Sequence, residues 1–243
     1  MMLKKFSIVL LALLPLFVNA QNKSKEIDFT CALTGNIYQG DLTPSILGSS
    51  KDLKLGLQGM VRYHLKGERV YLRGSLNIAS LKGDDAQFDS PEWSKHRNYS
   101  FSTSLIDMSA MLEFNLFHDD KKLQPFVAFG FGFAKINPIK DASKIDTNYF
   151  APSTPEQVGL VKEQSINQPK VLLTIPASVG FRYKLNAQSS LFLEACYKTC
   201  ISDYLDGFSL SVRSQKFDAY AVYALGYTFK FKLKEKKKDT ETK

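Results

Sequence analysis

Three cysteines and three histidines in 243 residues leave little material for a metal centre or a disulfide framework. His64, His96 and His118 are scattered, none four residues from another and none with a Cys at ligand spacing. Cys196 and Cys200 fall in a stretch that alternates like a strand. At about 3.3 Å per residue, an unbroken strand holds them too far apart to bridge. Nine prolines and fourteen glycines carry no collagen-like or low-complexity bias. After the N-terminus no apolar run approaches the roughly 20 residues that a membrane helix needs. From Glu26 onward a helical period is missing as well. Ser94 and Ser100 flank His96, but no nucleophile, base and acid stand together, so no catalytic residue and no enzyme is expected. Nothing in the pattern implies a cofactor.

What is present is apolar and aromatic. Hydrophobic residues make up 44 % and aromatics 12 % of the chain, which excludes a disordered polymer. Formal charge is +8, and the last fourteen residues, Lys230 to Lys243, hold seven Lys against three acids. Basicity is therefore mainly a property of the tail, and nucleic acid is not an expected partner. Met1–Ala20 reads as a signal peptide: Lys4 and Lys5 supply the positive start, Phe6 to Val18 the apolar stretch, and Val18-Asn19-Ala20 the small residues of a cleavage site. The mature chain would begin at Gln21 and carry about +6, the +8 less those two lysines. The division expected is a signal peptide at 1–20, a barrel domain at 21–231, and a basic periplasmic tail at 232–243.

Between those ends the pattern is alternation, the mark of half-buried strands. Ile27, Phe29, Cys31 and Leu33 share a face, as do Leu55, Leu57, Val61 and Tyr63, and Val70, Leu72, Leu76 and Ile78. The same holds for Ile106 to Leu116, Val127 to Phe133, Ala177 to Leu185, Leu191 to Tyr197, and Ala221 to Phe231. That makes eight strands. The connections alternate: 66–69, 118–124 and 186–189 are short, whereas 35–51, 82–99, 137–169 and 201–214 are long. Short turns on one side and long loops on the other predict an all-β, eight-stranded antiparallel transmembrane β-barrel of the outer membrane. A soluble barrel of the lipocalin kind is the rival. Against it stand an opposite face that mixes charge with Gly, Ala and Ser, and aromatics near strand ends (Tyr63, Phe101, Phe117, Tyr183, Tyr197, Phe231) that would form interfacial girdles. The alternating end Tyr227, Phe229, Phe231 also resembles the C-terminal insertion signal of outer-membrane barrels.

On the opposite face, Arg62, Arg73, Asp107, Glu113, Arg182, Lys184, Glu194 and Lys198 are expected to point into the lumen. Charges in a narrow barrel must pair or stay wet. Two readings of the lumen stay open, a hydrogen-bonded plug and a small gated pore, and with a plugged lumen a structural or surface-adhesive barrel carried by the long loop 137–169 is a further alternative.

Five motifs lie at strand ends: Asn36-Ile37-Tyr38-Gln39-Gly40-Asp41-Leu42, Leu81-Lys82-Gly83-Asp84-Asp85, Arg97-Asn98-Tyr99-Ser100-Phe101, Phe133-Ala134-Lys135-Ile136-Asn137-Pro138, and Ser202-Asp203-Tyr204-Leu205-Asp206. In this order they resemble the outer-membrane barrel family that includes PorG, a component of the type IX secretion system. The run Thr154-Pro155-Glu156-Gln157-Val158-Gly159 departs from that family's pattern. The resemblance implies the barrel fold and a secretion role, with periplasmic secretion-system proteins as partners through the short turns and the tail, beside outer-membrane lipid. On the expected topology Tyr38, Gly40, Asp41, Gly83, Asp84, Asp85, Arg97, Asp203, Tyr204 and Asp206 meet at the extracellular rim. Crowded carboxylates there either accept backbone N–H bonds and lock the loops or hold calcium.

Overall fold

The computed structural model describes residues 26–43, 49–65, 69–88, 91–118, 120–164, 168–210 and 217–232. The expected signal peptide, most of the basic tail and part of the first short turn lie outside these residues. Eight strands form one closed antiparallel barrel in sequential order. They are β1 (Glu26–Gln39), β2 (Lys54–His64), β3 (Val70–Asp84), β4 (Ser100–Asn115), β5 (Leu123–Asp141), β6 (Val171–Lys184), β7 (Ser189–Cys200) and β8 (Ala219–Lys232). Closure runs through β1 and β8, from Glu26 opposite Lys232 to Gln39 opposite Ala219. Lys232, expected to open the tail, instead ends the last strand. Closure matters because an open sheet edge would leave backbone groups unpaired at bilayer depth.

The alternation in the sequence becomes an inversion of a soluble protein. Leu33, Leu55, Phe131, Val179 and Leu225 project outward and are exposed, Leu55 by 79 % and Phe131 by 67 %. Residues of the opposite parity, such as Arg62, Arg73, Asp107, Glu113 and Arg182, face inward and are buried. A water-soluble barrel would place the first set inside. An apolar exterior around a polar interior is stable only with hydrocarbon outside, so the protein is an outer-membrane barrel.

Three expectations need correction. Phe101 is not part of an outer girdle: its parity on β4 turns it inward, where it is 5 % exposed and meets Tyr38 edge-on at 4.7 Å. Tyr183, Tyr197, Phe117 and Phe231 do face outward and are exposed. The strands also run further than the apolar pattern does, β1 to Gln39 and β5 to Asp141, because above the bilayer the outward parity mixes residue types (Gly35, Ile37, Gln39; Lys135, Asn137, Ile139, Asp141) and masks the period. Helix is not absent. α1 (Glu92–Arg97) and α2 (Pro155–Gln164) sit in the long loops. α1 ends where Asn98 adopts the left-handed conformation, φ 49°, and returns its N–H to Ser94 O at 2.8 Å, a backbone that Asn tolerates better than most residues. Six residues carry too few turns to print a period in the sequence.

Candidate functional site: a charged lumen under an extracellular plug

The interior has two parts. The lower part, towards the short turns, is ionic. Glu113 on β4 is fully buried and receives three guanidinium groups. Arg62 reaches it at 2.7 Å, Arg73 at 3.2 Å, and Arg182 through a second bond at 3.0 Å as well. Arg62 also binds Asp28, and Arg73 binds Glu194, which accepts from Ser178 at 3.1 Å. Lys198 and Tyr220 both donate to Asp107 higher in the barrel. Four inward cations thus face four inward carboxylates, Asp28, Asp107, Glu113 and Glu194. Charge is balanced within the network, as it must be where water is scarce. Aromatic faces complete it: the Arg182 guanidinium lies 4.4 Å from the centre of Phe126 and 4.9 Å from that of Phe192, and Arg62 lies 4.0 Å over Tyr71.

Register explains why these side chains meet. Tyr71 stands opposite Glu113, Arg62 opposite Arg73, and Gln124 opposite Arg182. Asp28, Arg62, Arg73, Glu113, Arg182 and Glu194 come from six strands, yet each lies on the inward parity in one layer, with Asp107 and Lys198 above it. Of the eight lumen positions expected from the sequence, seven are inward and buried: Arg62, Arg73, Asp107, Glu113, Arg182, Glu194 and Lys198. Lys184 is half-buried near the lower opening. Asp28 and Tyr220 are not among the residues expected from the sequence: Asp28 is a single charge between Ile27 and Phe29 at the start of β1, and Tyr220 reads as the beginning of the apolar run Ala221–Leu225.

Above the ions the interior becomes an apolar plug. Tyr38, Leu81, Tyr99, Phe101, Leu105 and Ile136 line the wall, and Leu205 and Phe208 descend into it from the loop after β7, both fully buried. Phe208 stacks on Tyr99 at 4.7 Å. Thr103 Oγ1 donates to Leu205 O at 2.8 Å, while Lys140 and Gln168 donate to Gly207 O at 3.0 and 2.9 Å. Gly207, at φ +86°, supplies the backbone turn that sends both flanking side chains inward.

The rim residues sort into three contacts around this plug. Asp85 forms a buried ion pair with Arg97, at 2.6 and 2.7 Å, and accepts the Tyr99 N–H at 3.1 Å. Burial raises the Asp85 carboxyl against the opposing pull of Arg97. Arg97 donates onward to Asp41 O at 3.0 Å, joining the first and second long loops. Asp84 caps the short turn after β3 by accepting Ala86 N–H at 3.0 Å. Tyr38 Oη donates to Asp206 at 2.6 Å and lies 3.2 Å from Asp218, a residue missed in the sequence. Asp206 accepts from Phe208 N–H at 2.8 Å and Asp218 from Leu205 N–H at 2.9 Å. Asp203 takes a weaker bond from Ser209 Oγ at 3.2 Å, and Tyr204 is half-buried beside it. Gly40 and Gly83 are close-approach positions: a Cβ at Gly40 would lie 2.0 Å from Tyr38 Oη, and one at Gly83 would lie 2.6 Å from the Phe101 ring.

Among the described residues no group of three His, Cys, Asp or Glu side chains has the arrangement of a metal site. Cys196 and Cys200 are buried free thiols inside the barrel, and Cys31 is exposed on the outer face. His96 stacks on Tyr149 at 4.2 Å and pairs with Asp146 at 3.0 Å, tying two loops together.

A family model described as a domain of unknown function, DUF6089, matches residues 4–227. No curated protein matches the chain. Among solved structures it is similar to the outer membrane protein OprG from Pseudomonas aeruginosa, with 11 % identity and a TM-score of 0.47, over 87 % of this chain and 98 % of that one. It is also similar to Neisserial surface protein A, with 11 % identity and a TM-score of 0.47, over 84 % of this chain and 97 % of that one. Ail of Yersinia pestis matches with 10 % identity and a TM-score of 0.42, over 86 % and 100 %.

Proposed function

This chain belongs to the DUF6089 family, and from that premise we propose that it is a non-enzymatic, non-conducting anchor in the outer membrane. The reading is a PorG-like component of type IX secretion that ties periplasmic secretion proteins to the bilayer. The observation that carries the non-conducting part is the filled interior: among the described residues the balanced ions below and the apolar plug above are buried and bonded to one another, which favours a closed lumen. A barrel whose inside is occupied works through its outside surfaces. The periplasmic surfaces are the short connections at 65–69, 116–122 and 185–188 and the basic segment after β8. The ordered strand-end motifs supply the link to secretion.

The test is deletion of the gene with a secretion readout. On this reading, proteins bearing the type IX C-terminal sorting domain accumulate in the periplasm, and a copy lacking residues 233–243 fails to restore export. Normal export in the deletion strain refutes the secretion role. Steady conductance of the purified protein in a planar bilayer would refute the non-conducting part and favour the small-pore reading instead.

A further inference from the structure

The segment that seals the mouth is held by a contact with an unusual charge balance. Tyr38 on the β1 wall faces two buried carboxylates, Asp206 within the plug segment and Asp218 at the foot of β8. One hydroxyl proton serves two acceptors. We propose that Tyr38, Asp206 and Asp218 form a proton-held latch that keeps the 201–210 segment in the barrel mouth and releases it as the medium turns alkaline.

The described charged groups that act on these two carboxylates add negative charge. From the loop after β1 comes Asp41, from the plug segment itself Asp203, and the Cys200 thiol at the end of β7 faces Asp218. Two cations of the described mouth are engaged elsewhere: Lys140 on β5 donates to Gly207 O at 3.0 Å and faces the Phe208 ring at 5.5 Å, and Arg97, the last residue of α1, is paired with Asp85. Among the described residues no cation forms an ion pair with Asp206 or Asp218. Two carboxylates this close and this dry cannot both ionise without cost, so the closed form holds a proton. Burial pushes Asp206 up to about 7, and burial followed by repulsion from Asp206 lifts Asp218 well above the ordinary range.

The direction follows from linkage. With the segment out, both carboxylates are in water and titrate near 4. The closed form therefore binds more protons than the open one. Each proton makes opening up to about tenfold easier per pH unit, from about pH 4 until the closed latch itself ionises. For Asp206 that limit is about 7, and Asp218 carries the effect further. The latch is tightest in mild acid and weakens through neutrality. The local bonds alone would behave in the opposite way, because an N–H bond to an ionised carboxylate is stronger than one to a neutral carboxyl. Loss of amide protection with rising pH therefore reports departure of the segment.

The experiment is hydrogen exchange of full-length protein folded in detergent, read at the Leu205 and Phe208 amides from pH 5 to pH 8.5 and corrected for intrinsic exchange. Protection should fall at least about tenfold across that range in the wild type. In Asp206→Asn/Asp218→Asn, where amide oxygens replace the acceptors and nothing titrates, it should stay level. A level wild-type profile overturns the latch, and so does an equal fall in the double variant. If the double variant does not reach the folded, faster-migrating gel form, Asp218→Asn alone decides. It keeps an acceptor for Leu205 N–H and removes the partner charge, so the fall above pH 6.5 should shrink severalfold. An unchanged profile in that single variant also overturns the latch.

Discussion

Replacing Glu113 by Gln keeps the shape of the central acceptor and removes its charge. Glu113 binds three guanidinium groups, from Arg62, Arg73 and Arg182, in a position with no exposure. The lower network then changes from three cations against three carboxylates to three against two, with Asp28 and Glu194 remaining. At contact distance each guanidinium–carboxylate attraction is about 4 kcal/mol for an effective dielectric near 20. Much of that is offset by repulsion among the arginines and by the amide bonds that Gln retains. Removing one partner of a buried pair costs about 3–5 kcal/mol, and three partners place this site at the upper end. The assay is urea unfolding in detergent micelles, followed by the gel-shift between folded and unfolded barrel. Glu113→Gln/Arg182→Met restores neutrality and should recover more than half of the loss. A Glu113→Gln midpoint within about 1 kcal/mol of wild type would show that the lumen is wet enough to screen the charge, and would refute the argument.

Three further outcomes follow from the same geometry. Phe129 lies near the middle of the outer apolar belt of β5, so Phe129→Arg should cost about 2–4 kcal/mol in lipid vesicles. Asn137→Arg on the same outward parity, above the belt, should be close to neutral, and equal effects would misplace the belt. Phe208→Ala removes the ring stacked on Tyr99 and should cost about 3–5 kcal/mol of plug stability, seen as faster protease cleavage of the 201–218 loop while the barrel still migrates as folded. Gly40→Ala would drive a Cβ against Tyr38 Oη and Asp218, and should expose the same loop to protease without preventing insertion. Unchanged cleavage would mean that the first long loop gives way instead.

How much of this was legible in the sequence differs with depth. At bilayer level every second residue is forced, because lipid accepts only apolar side chains, so Leu55, Phe129 and Val179 announce their face unaided. Inward residues follow by parity, which is why Arg62, Glu113 and Arg182 could be placed in the lumen. Their pairing could not be read. Arg62 and Glu113 lie on β2 and β4 with β3 between them, so their contact depends on two interstrand registers and on the radius of the closed barrel. Outside the bilayer the rule lapses. Phe101 reads as a girdle residue by composition and as a core residue by parity, and parity prevails because above the hydrocarbon the only dry place is inside.

That last point explains why the plug and not the belt holds the candidate chemistry. The lower barrel gains its stability from lipid outside and from mutually cancelling charge inside, an arrangement in which almost every position is fixed by its neighbours. The extracellular end has no lipid to lean on, and there the chain builds a small water-soluble core from Tyr38, Tyr99, Phe101, Leu205 and Phe208. A core of that size is marginal by itself, since few side chains share the cost of ordering four long loops. It is held by specific polar contacts: Asp85 with Arg97, Thr103 with Leu205, and Tyr38 with two carboxylates. In the first of those contacts the carboxylate has its own guanidinium partner, and the second carries no charge. Only the third changes character within the pH range of a cell surface, so a response to the medium without unfolding of the barrel is expected at that contact.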